Sequence, residues 1–442
     1  MPSRKPRCVQ QTAWAPILLR QRRCLTTATP PWRPASVLDE WVQKEARPIS
    51  LRQLTFFGRT LTENRLISSA NYVRTELPTR LAHRLRDMQT LPYVVVTNPH
   101  MSHVYELYYK AFETLRRIKE IKTVDDNDKY CAIVSETLQE HLSVIPRLAM
   151  GVLECQDLMR REEMDRFMNT LLRSRISRRV IAEQHLALTE TFNSPWHFPE
   201  AKIPFDPNAE FIGEVFLRCN AREVVERCAK VVQDIAKEAC GSQDPIPKVI
   251  LEGHLEATFP YILSHLEYII GELLRNSIQA VIERKMDPPP PIEVLICEAP
   301  QHVIIRVSDQ GGGVPREILP YLWSFSKGPR SQARLKNLLQ VPKMAATMQE
   351  LKLPDHSNAS PNRTAHRGSI TSQDSSLSSL TFRPPNLRLG MGLPMSRVYA
   401  EYWAGSLELH SLEGYGVDAF LQISKLGNKN EQLSTRASMD AV

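Results

Sequence analysis

The sequence predicts an all-helical bundle followed by an α/β sandwich with a mostly antiparallel sheet. Three observations lead there. From residue 38 to about 190, apolar residues recur at helical spacing with few β-branched alternations between them. After a stretch rich in Pro and Asn, residues 194–207, helical runs alternate with pairs of short apolar strands. The length of 442 residues favours two or three domains, and a hydrophobic content of 42% can fill their cores.

The first 37 residues belong to neither part. Seven of the 56 basic residues fall in 1–38, which contains no Asp or Glu, and Trp14 to Leu19 add an apolar patch. An Arg-rich, acid-free leader of this kind reads as a mitochondrial transit peptide and predicts a matrix location. The rest carries 49 basic against 49 acidic residues, so the net charge of +7 resides in the leader. A general nucleic-acid footprint is therefore not expected. No run reaches the roughly 20 apolar residues of a membrane-spanning helix. The eight cysteines form no CxxC pair, which argues against a zinc site or a disulfide framework and fits a reducing compartment.

In the helical part, residues 38–45 read as a short helix. A second begins after Ser50, a plausible N-cap. A third covers 76–88 with Leu81, Leu85 and Met88 on one stripe, and a fourth covers 104–121. Periodic segments over 129–153 and 162–188 follow. His141 reads as a partly exposed helix residue rather than a catalytic one. Arg175, Arg178 and Arg179 read as a solvated helix face, with contact to an anionic partner as the alternative. Beyond the connection come a helix at 220–238, a strand at 247–252, and an apolar helix at 261–282. Strands at 292–297 and 302–308 are paired, a helix covers 393–402, and strands at 406–411 and 417–423 are joined by a Gly-containing turn. Residues 326–388 read as a lid with a disordered insertion, and 427–442 as a polar tail.

The chemistry concentrates in three places. Glu272 and Asn276 are four residues apart and project from one helix face. Asp309 ends a strand and precedes Gly311, Gly312 and Gly313. Gly390, Met391, Gly392 and Leu393 lead into the next helix. Phosphoryl transfer needs a cation on the phosphates, an aligned acceptor and a carboxylate near its proton. Asn276 can supply an oxygen to Mg²⁺, and Glu272 can reach an attacking hydroxyl. Asp309 can accept a hydrogen bond from an exocyclic amine such as that of adenine. Gly311 and Gly313 allow close backbone approach. The amides opening the helix after Gly390 and Gly392 suit a phosphate. Each signal alone is weak; their order on helix, strand-turn and turn-helix is more specific.

That order resembles the N, G1 and G2 boxes of the GHKL (Bergerat-type) ATP-binding superfamily. The resemblance narrows further. Arg47-Pro-Ile-Ser-Leu-Arg-Gln53, Glu76-Leu-Pro-Thr-Arg-Leu-Ala82, His141-x-x-Val-Ile-Pro146, Ser174-Arg-Ile-Ser177 with Gln184-His185, and Gly392-Leu-Pro-Met-Ser-Arg397 are similar to the mitochondrial pyruvate dehydrogenase and branched-chain 2-oxoacid dehydrogenase kinases. It spans residues 38–426 except the lid insertion. It implies a Mg-ATP-dependent serine kinase that phosphorylates and inactivates the E1 alpha subunit of a 2-oxoacid dehydrogenase complex, with pyruvate dehydrogenase preferred. It also implies docking of residues 38–193 on the lipoyl domain of E2, a homodimer, and an ATP-binding kinase domain over 194–426. Glu272 matches the general base and Asn276 the Mg²⁺ ligand. Asp309, Gly311 and Gly313 match the adenine side, and Gly390, Met391, Gly392 and Leu393 the phosphate side.

Four positions depart from the family pattern. Tyr268 stands where pyruvate dehydrogenase kinases usually carry His, Gln279 where Arg is usual, Arg388 where a glycine is usual, and Val417 where Thr is usual. The Asp-Trp pair of the pyruvate dehydrogenase kinase tail is absent, which tilts toward the branched-chain type or a divergent pyruvate type. A branched-chain kinase and a non-catalytic, E2-docking scaffold are the alternatives; a histidine kinase or GHKL ATPase is the weaker third.

Overall fold

The computed structural model describes residues 35–58, 60–194, 211–240, 245–329, 331–340 and 389–425. The basic leader, the 195–210 part of the connection, Arg388, most of the lid and the polar tail lie outside the described residues.

Helices α1 (Ala35–Val42), α2 (Leu51–Gly58), α3 (Glu63–Gln89), α4 (Tyr93–Val96), α5 (Pro99–Arg116), α6 (Val124–Glu140), α7 (Val144–Glu154) and α8 (Arg161–Asn193) build the first part. Their starts follow from local chemistry. Ser50 and Gln53 cap α2 reciprocally: the Ser50 hydroxyl accepts from the Gln53 amide, and the Gln53 side chain accepts from the Ser50 amide. Thr62 caps α3, and Asn98 followed by Pro99 caps α5. These caps start α3 and α5 earlier than periodicity predicts. The periodic segment 129–153 is broken at His141–Ser143, a 3₁₀ turn, and Pro146 falls in the first turn of α7, where a missing N–H is tolerated.

The second part begins with strands that periodicity does not reveal. β1 (Phe211–Ile212), β2 (Val215–Asn220) and β4 (Thr258–Ile262) form a three-stranded antiparallel sheet. β4 runs directly into the apolar helix α10 (Leu263–Arg284), so Tyr261 is a strand residue rather than the helix start. Helix α9 (Ala221–Cys240) is opened by Asn220, whose side chain accepts from the amides of Arg222 and Glu223. β3 (Val249–Gly253), β5 (Ile292–Glu298), β6 (His302–Asp309), β7 (Ser406–Leu412) and β8 (Gly416–Ser424) make a five-stranded sheet in the order β3-β5-β6-β8-β7. Only β3–β5 is parallel. The inward positions Val294, Ile296, Val303, Ile305, Val307 and Leu421 are buried and alternate with more exposed ones, as a one-sided sheet requires. Among the described residues, two further helices belong to this part, α11 (Ser331–Gln340) and α12 (Gly392–Tyr402). Bundle and sandwich agree with the predicted fold class.

Polar side chains join the two parts. The Gln184 amide donates to the Leu54 and Ile212 carbonyls, and its oxygen accepts from the Glu214 amide. Asp165 of α8 accepts from the Phe325 amide (2.9 Å), the Ser326 amide (3.2 Å) and the Ser326 hydroxyl (3.1 Å). Arg173 pairs with Glu401 of α12.

Two expectations for α8 and its neighbours are corrected. Arg175, Arg178 and Arg179 are buried, not solvated. Helix α8 is enclosed by α3, α6 and α12, so its middle has no water-facing side. Arg178 lies over the Tyr108 ring at 4.4 Å, Arg179 pairs with Glu183, and nearby Arg84 pairs with Asp87 at 3.2 Å. Burial and the neighbouring Arg179 bring the Arg175 pKa down to about 9. His141 is also buried, tilted against Tyr108, and burial beside Arg178 and Arg175 holds its pKa well below the usual imidazole value.

His185 sits deeper in the same bundle. Its Nε2 is 2.9 Å from Asn127 Oδ1 and its Nδ1 is 3.1 Å from Ser69 Oγ. Burial lowers its pKa to about 4. A depressed folded-state pKa means the neutral form supports the fold. Stability is complete above the unfolded pKa of about 6.5 and falls as the pH drops toward 4, by on the order of 3 kcal/mol for this group. Melting temperatures measured from pH 7.5 to 4 should therefore decline below pH 6.5. A His185→Gln variant should melt lower at pH 7.5 and decline less steeply; parallel curves would show that His185 does not drive the loss.

Candidate active site

Helix α10 sets the geometry. It follows β4 and stops at Lys285, which adopts a left-handed conformation at φ 52°. Glu272 is 1% exposed, whereas Asn276, one turn later, is exposed to solvent. The carboxylate thus lies inside and the amide at the mouth. Among the described residues, nothing hydrogen-bonds the Asn276 side chain.

The start of α12 meets Glu272 directly. A Cβ on Gly392 would collide with Glu272 Oε2, so a larger residue here would push the carboxylate aside. A carboxylate against the first turn of a helix also gains from the helix dipole. Gly390 takes φ 68°, a value that favours glycine, and packs against the Arg334 guanidinium of α11. Met391 is buried and Leu393 half-buried on the core, so these two support the turn.

Asp309 lies further along α10, against Ser277. Its Oδ2 accepts from the Ser277 hydroxyl at 2.8 Å and its Oδ1 from the Gly311 amide at 2.9 Å. Burial raises its pKa, and the two hydrogen bonds oppose that rise. A Cβ on Gly311 would lie 2.5 Å from the Ala280 methyl, so this loop rests on the helix. Gly313 takes φ 74° with its Cα face against the Leu412 carbonyl. The structure thus brings Glu272, Asn276 and Asp309 to one helix and sets Gly311, Gly313, Gly390 and Gly392 around it.

Three contributors escaped the sequence reading. Ser277 neighbours Asn276, yet nothing in the pattern tells that its hydroxyl faces Asp309. Arg284 lies just beyond the helix read over 261–282 and ends α10. Its Nη1 donates to the Gln310 (2.9 Å) and Tyr415 (3.0 Å) carbonyls, and its Nη2 to the Gly414 carbonyl (3.0 Å). It therefore ties the glycine loop after β6 to the β7–β8 turn. Arg334 fell in a stretch that reads as polar lid.

The departures from the family pattern also have places. Tyr268 packs tilted against Tyr399 of α12 at 5.1 Å between ring centroids. His265 packs tilted against the same ring, and its Nδ1 accepts from the Trp403 indole at 3.2 Å. These aromatics fix α10 against α12. Gln279 donates to Glu283 at 3.2 Å. Val417 pairs with Asp309 across β6 and β8, so the replaced hydroxyl position is next to the buried carboxylate.

Comparison with known proteins finds relatives over both parts of the chain. Residues 48–216 match the family model of the mitochondrial branched-chain alpha-ketoacid dehydrogenase kinase, and residues 262–425 that of the histidine kinase-, DNA gyrase B- and HSP90-like ATPases. A kinase 2 of Saccharomyces cerevisiae, named for pyruvate dehydrogenase (acetyl-transferring), is 31% identical over 429 residues, covering 90% of this chain and 85% of the relative. The corresponding kinase of Arabidopsis thaliana is 29% identical over 413 residues, covering 90% and 97%. The human isozyme 4 is 25% identical over 400 residues, covering 87% and 82%. With the acid, the amide and the glycine turns placed as described, the chain belongs to the family of mitochondrial pyruvate dehydrogenase and branched-chain 2-oxoacid dehydrogenase kinases within the GHKL superfamily.

Proposed function

We propose that this chain is a mitochondrial Mg-ATP-dependent serine kinase that phosphorylates and inactivates the E1 alpha subunit of pyruvate dehydrogenase. The observation that carries this reading is the single helix α10, which holds a buried acid, an exposed amide and the partner hydroxyl of a buried Asp. The names of the relatives supply the substrate class. Residues 1–37 would direct the chain to the matrix, 38–193 would dock the lipoyl domain of E2, and 194–426 would form the kinase domain with its lid at 326–388. The active form would be a homodimer. Among the described residues no helix is long and apolar enough to cross a membrane.

In this reading Asp309 accepts from the adenine amine, and the loop carrying Gly311 and Gly313 covers the base. The phosphates lie along Gly390, Met391, Gly392 and Leu393, where helix amides point outward. Asn276 fits Mg²⁺ because its exposed carboxamide is a hard oxygen donor with no other partner among the described residues. Bound there, the ion would neutralise phosphate charge. The serine Oγ forms a bond to the γ-phosphorus, the bond to the ADP oxygen breaks, and the serine proton passes to Glu272. Buried at Gly392, Glu272 is held in place and shielded from bulk water. The helical part's match to the branched-chain kinase model makes that complex the second substrate to try.

The test is phosphate transfer from radiolabelled ATP to purified pyruvate and branched-chain complexes by the chain lacking residues 1–37. Serine-linked label on pyruvate dehydrogenase E1 alpha is expected, and Glu272→Gln should cut it by about 10² to 10⁴-fold. Label on the kinase alone, or full activity in that variant, would refute the assignment. Asn276→Ala should abolish the Mg²⁺-dependent gain in ATP affinity and leave binding in EDTA unchanged, as titration calorimetry can show.

Asp309 allows a test with opposite signs. Its raised folded-state pKa means the ionised form weakens the fold: stability is greatest below the unfolded pKa and falls as the pH rises through the folded one. Asp309→Asn should therefore raise the melting temperature at pH 7.5 while weakening ATP binding at least about tenfold, a loss near 1.4 kcal/mol. A variant that melts lower would show that the charge supports the fold.

A further inference from the structure

Helix α11 carries a cation where its periodicity calls for an apolar residue. Ser331, Arg334 and Leu338 are its inward positions, all buried, and Leu338 joins the hydrophobic core. Arg334 donates from Nε to the Leu389 carbonyl at 3.2 Å and from Nη2 to the Phe325 carbonyl at 3.0 Å. Its guanidinium packs on Gly390 so closely that a Cβ there would collide with it. Burial brings its pKa down to about 10, so it stays charged at neutral pH. No carboxylate pairs with it among the described residues; Asp165 favours its charge from a distance while accepting from the Phe325 and Ser326 amides.

A buried guanidinium is expensive unless an anion faces it. Here the cation and Glu272 flank one short turn, Arg334 at Gly390 and Glu272 at Gly392. On the reading of this turn as the phosphate side, we infer that Arg334 binds the polyphosphate of the nucleotide and supplies the positive charge facing the leaving ADP. Its two carbonyl bonds fix the fork in advance, so little side-chain entropy is lost when phosphate arrives. Charge-assisted bonds to phosphate are among the strongest available. Arg334 also lies on the element that roots the lid, so it would report an occupied phosphate site to the Phe325–Ser326 segment and to Asp165 beyond it.

The bland alternative is that Arg334 only braces Leu389 and Phe325. Equilibrium binding of Mg-ATP and of AMP to the full chain separates the two. Loss of a phosphate ligand lowers the preference for ATP over AMP, whereas loss of a brace weakens both alike. Arg334→Gln should weaken ATP about ten- to hundredfold and AMP less than about threefold. An equal loss for both nucleotides, or an unchanged ATP affinity, overturns the inference. If Arg334→Gln does not melt cooperatively without nucleotide, Arg334→Lys decides, since it keeps the charge without the fork. A fall in its ATP-over-AMP preference of about threefold or more supports the role, and an unchanged preference overturns it. A wild-type chain that binds neither nucleotide overturns the nucleotide site and this inference together. A wild-type chain that binds both, with the preference unchanged by the variants, overturns this inference alone.

Discussion

The site depends on one contact, the Glu272 carboxylate against the backbone of Gly392. A carboxylate buried to this degree needs polar surroundings, and the first turn of α12 offers them. The contact sets the distance between α10 and α12, and the aromatic set of His265, Tyr268, Tyr399 and Trp403 holds it. Asp309, the loop resting on Ala280 and the Arg284 clamp are then positioned by the far end of the same helix. The glycines of the site answer to different demands. Gly390 and Gly313 need positive φ, whereas Gly392 and Gly311 need the absence of a side chain.

The helical part follows a different electrostatic plan. Arg84, Arg175, Arg178 and Arg179 share an interior with His141, where Arg84 pairs with Asp87 and Arg179 with Glu183. Burial first, and the neighbouring arginines after it, lower the proton affinity of Arg84, Arg175 and His141. The Tyr108 ring relieves part of this by accepting the Arg178 guanidinium on its face. Tyr399 connects the two regions: it feels Arg175 and Arg179 and packs tilted against Tyr268 of α10.

Legibility in the sequence tracked how local each cause is. Glu272 and Asn276 could be read because helical spacing places both on one face, and the glycine turns because few residues tolerate their backbone. The strand pairs β5–β6 and β7–β8 alternate cleanly and were foreseen. β1, β2 and β4 were not, because they are short and β4 merges with the apolar start of α10. Arg175, Arg178 and Arg179 misled because a charged run normally marks a wet face; their burial comes from α3, α6 and α12 converging on α8, which no local pattern reports. Arg334 was hidden for the same reason. Its partners Leu389 and Phe325 lie 55 and 9 residues away.

The bonds that Asp165 and Gln184 make across the chain bear on how the protein can be dissected. Gln184 lies 28 residues from Ile212 and Asp165 lies 160 residues from Phe325, and both face backbone groups that would otherwise be orphaned. Expressed alone, a fragment ending at Asn193 would expose a half-buried carboxylate and a buried amide shaped for absent partners. Its complement would carry the root of the lid with two amides and a hydroxyl stripped of their acceptor. The two fragments are thus complementary surfaces of one body, and recombining them in trans is a route to a split enzyme whose reassembly is read by its own activity.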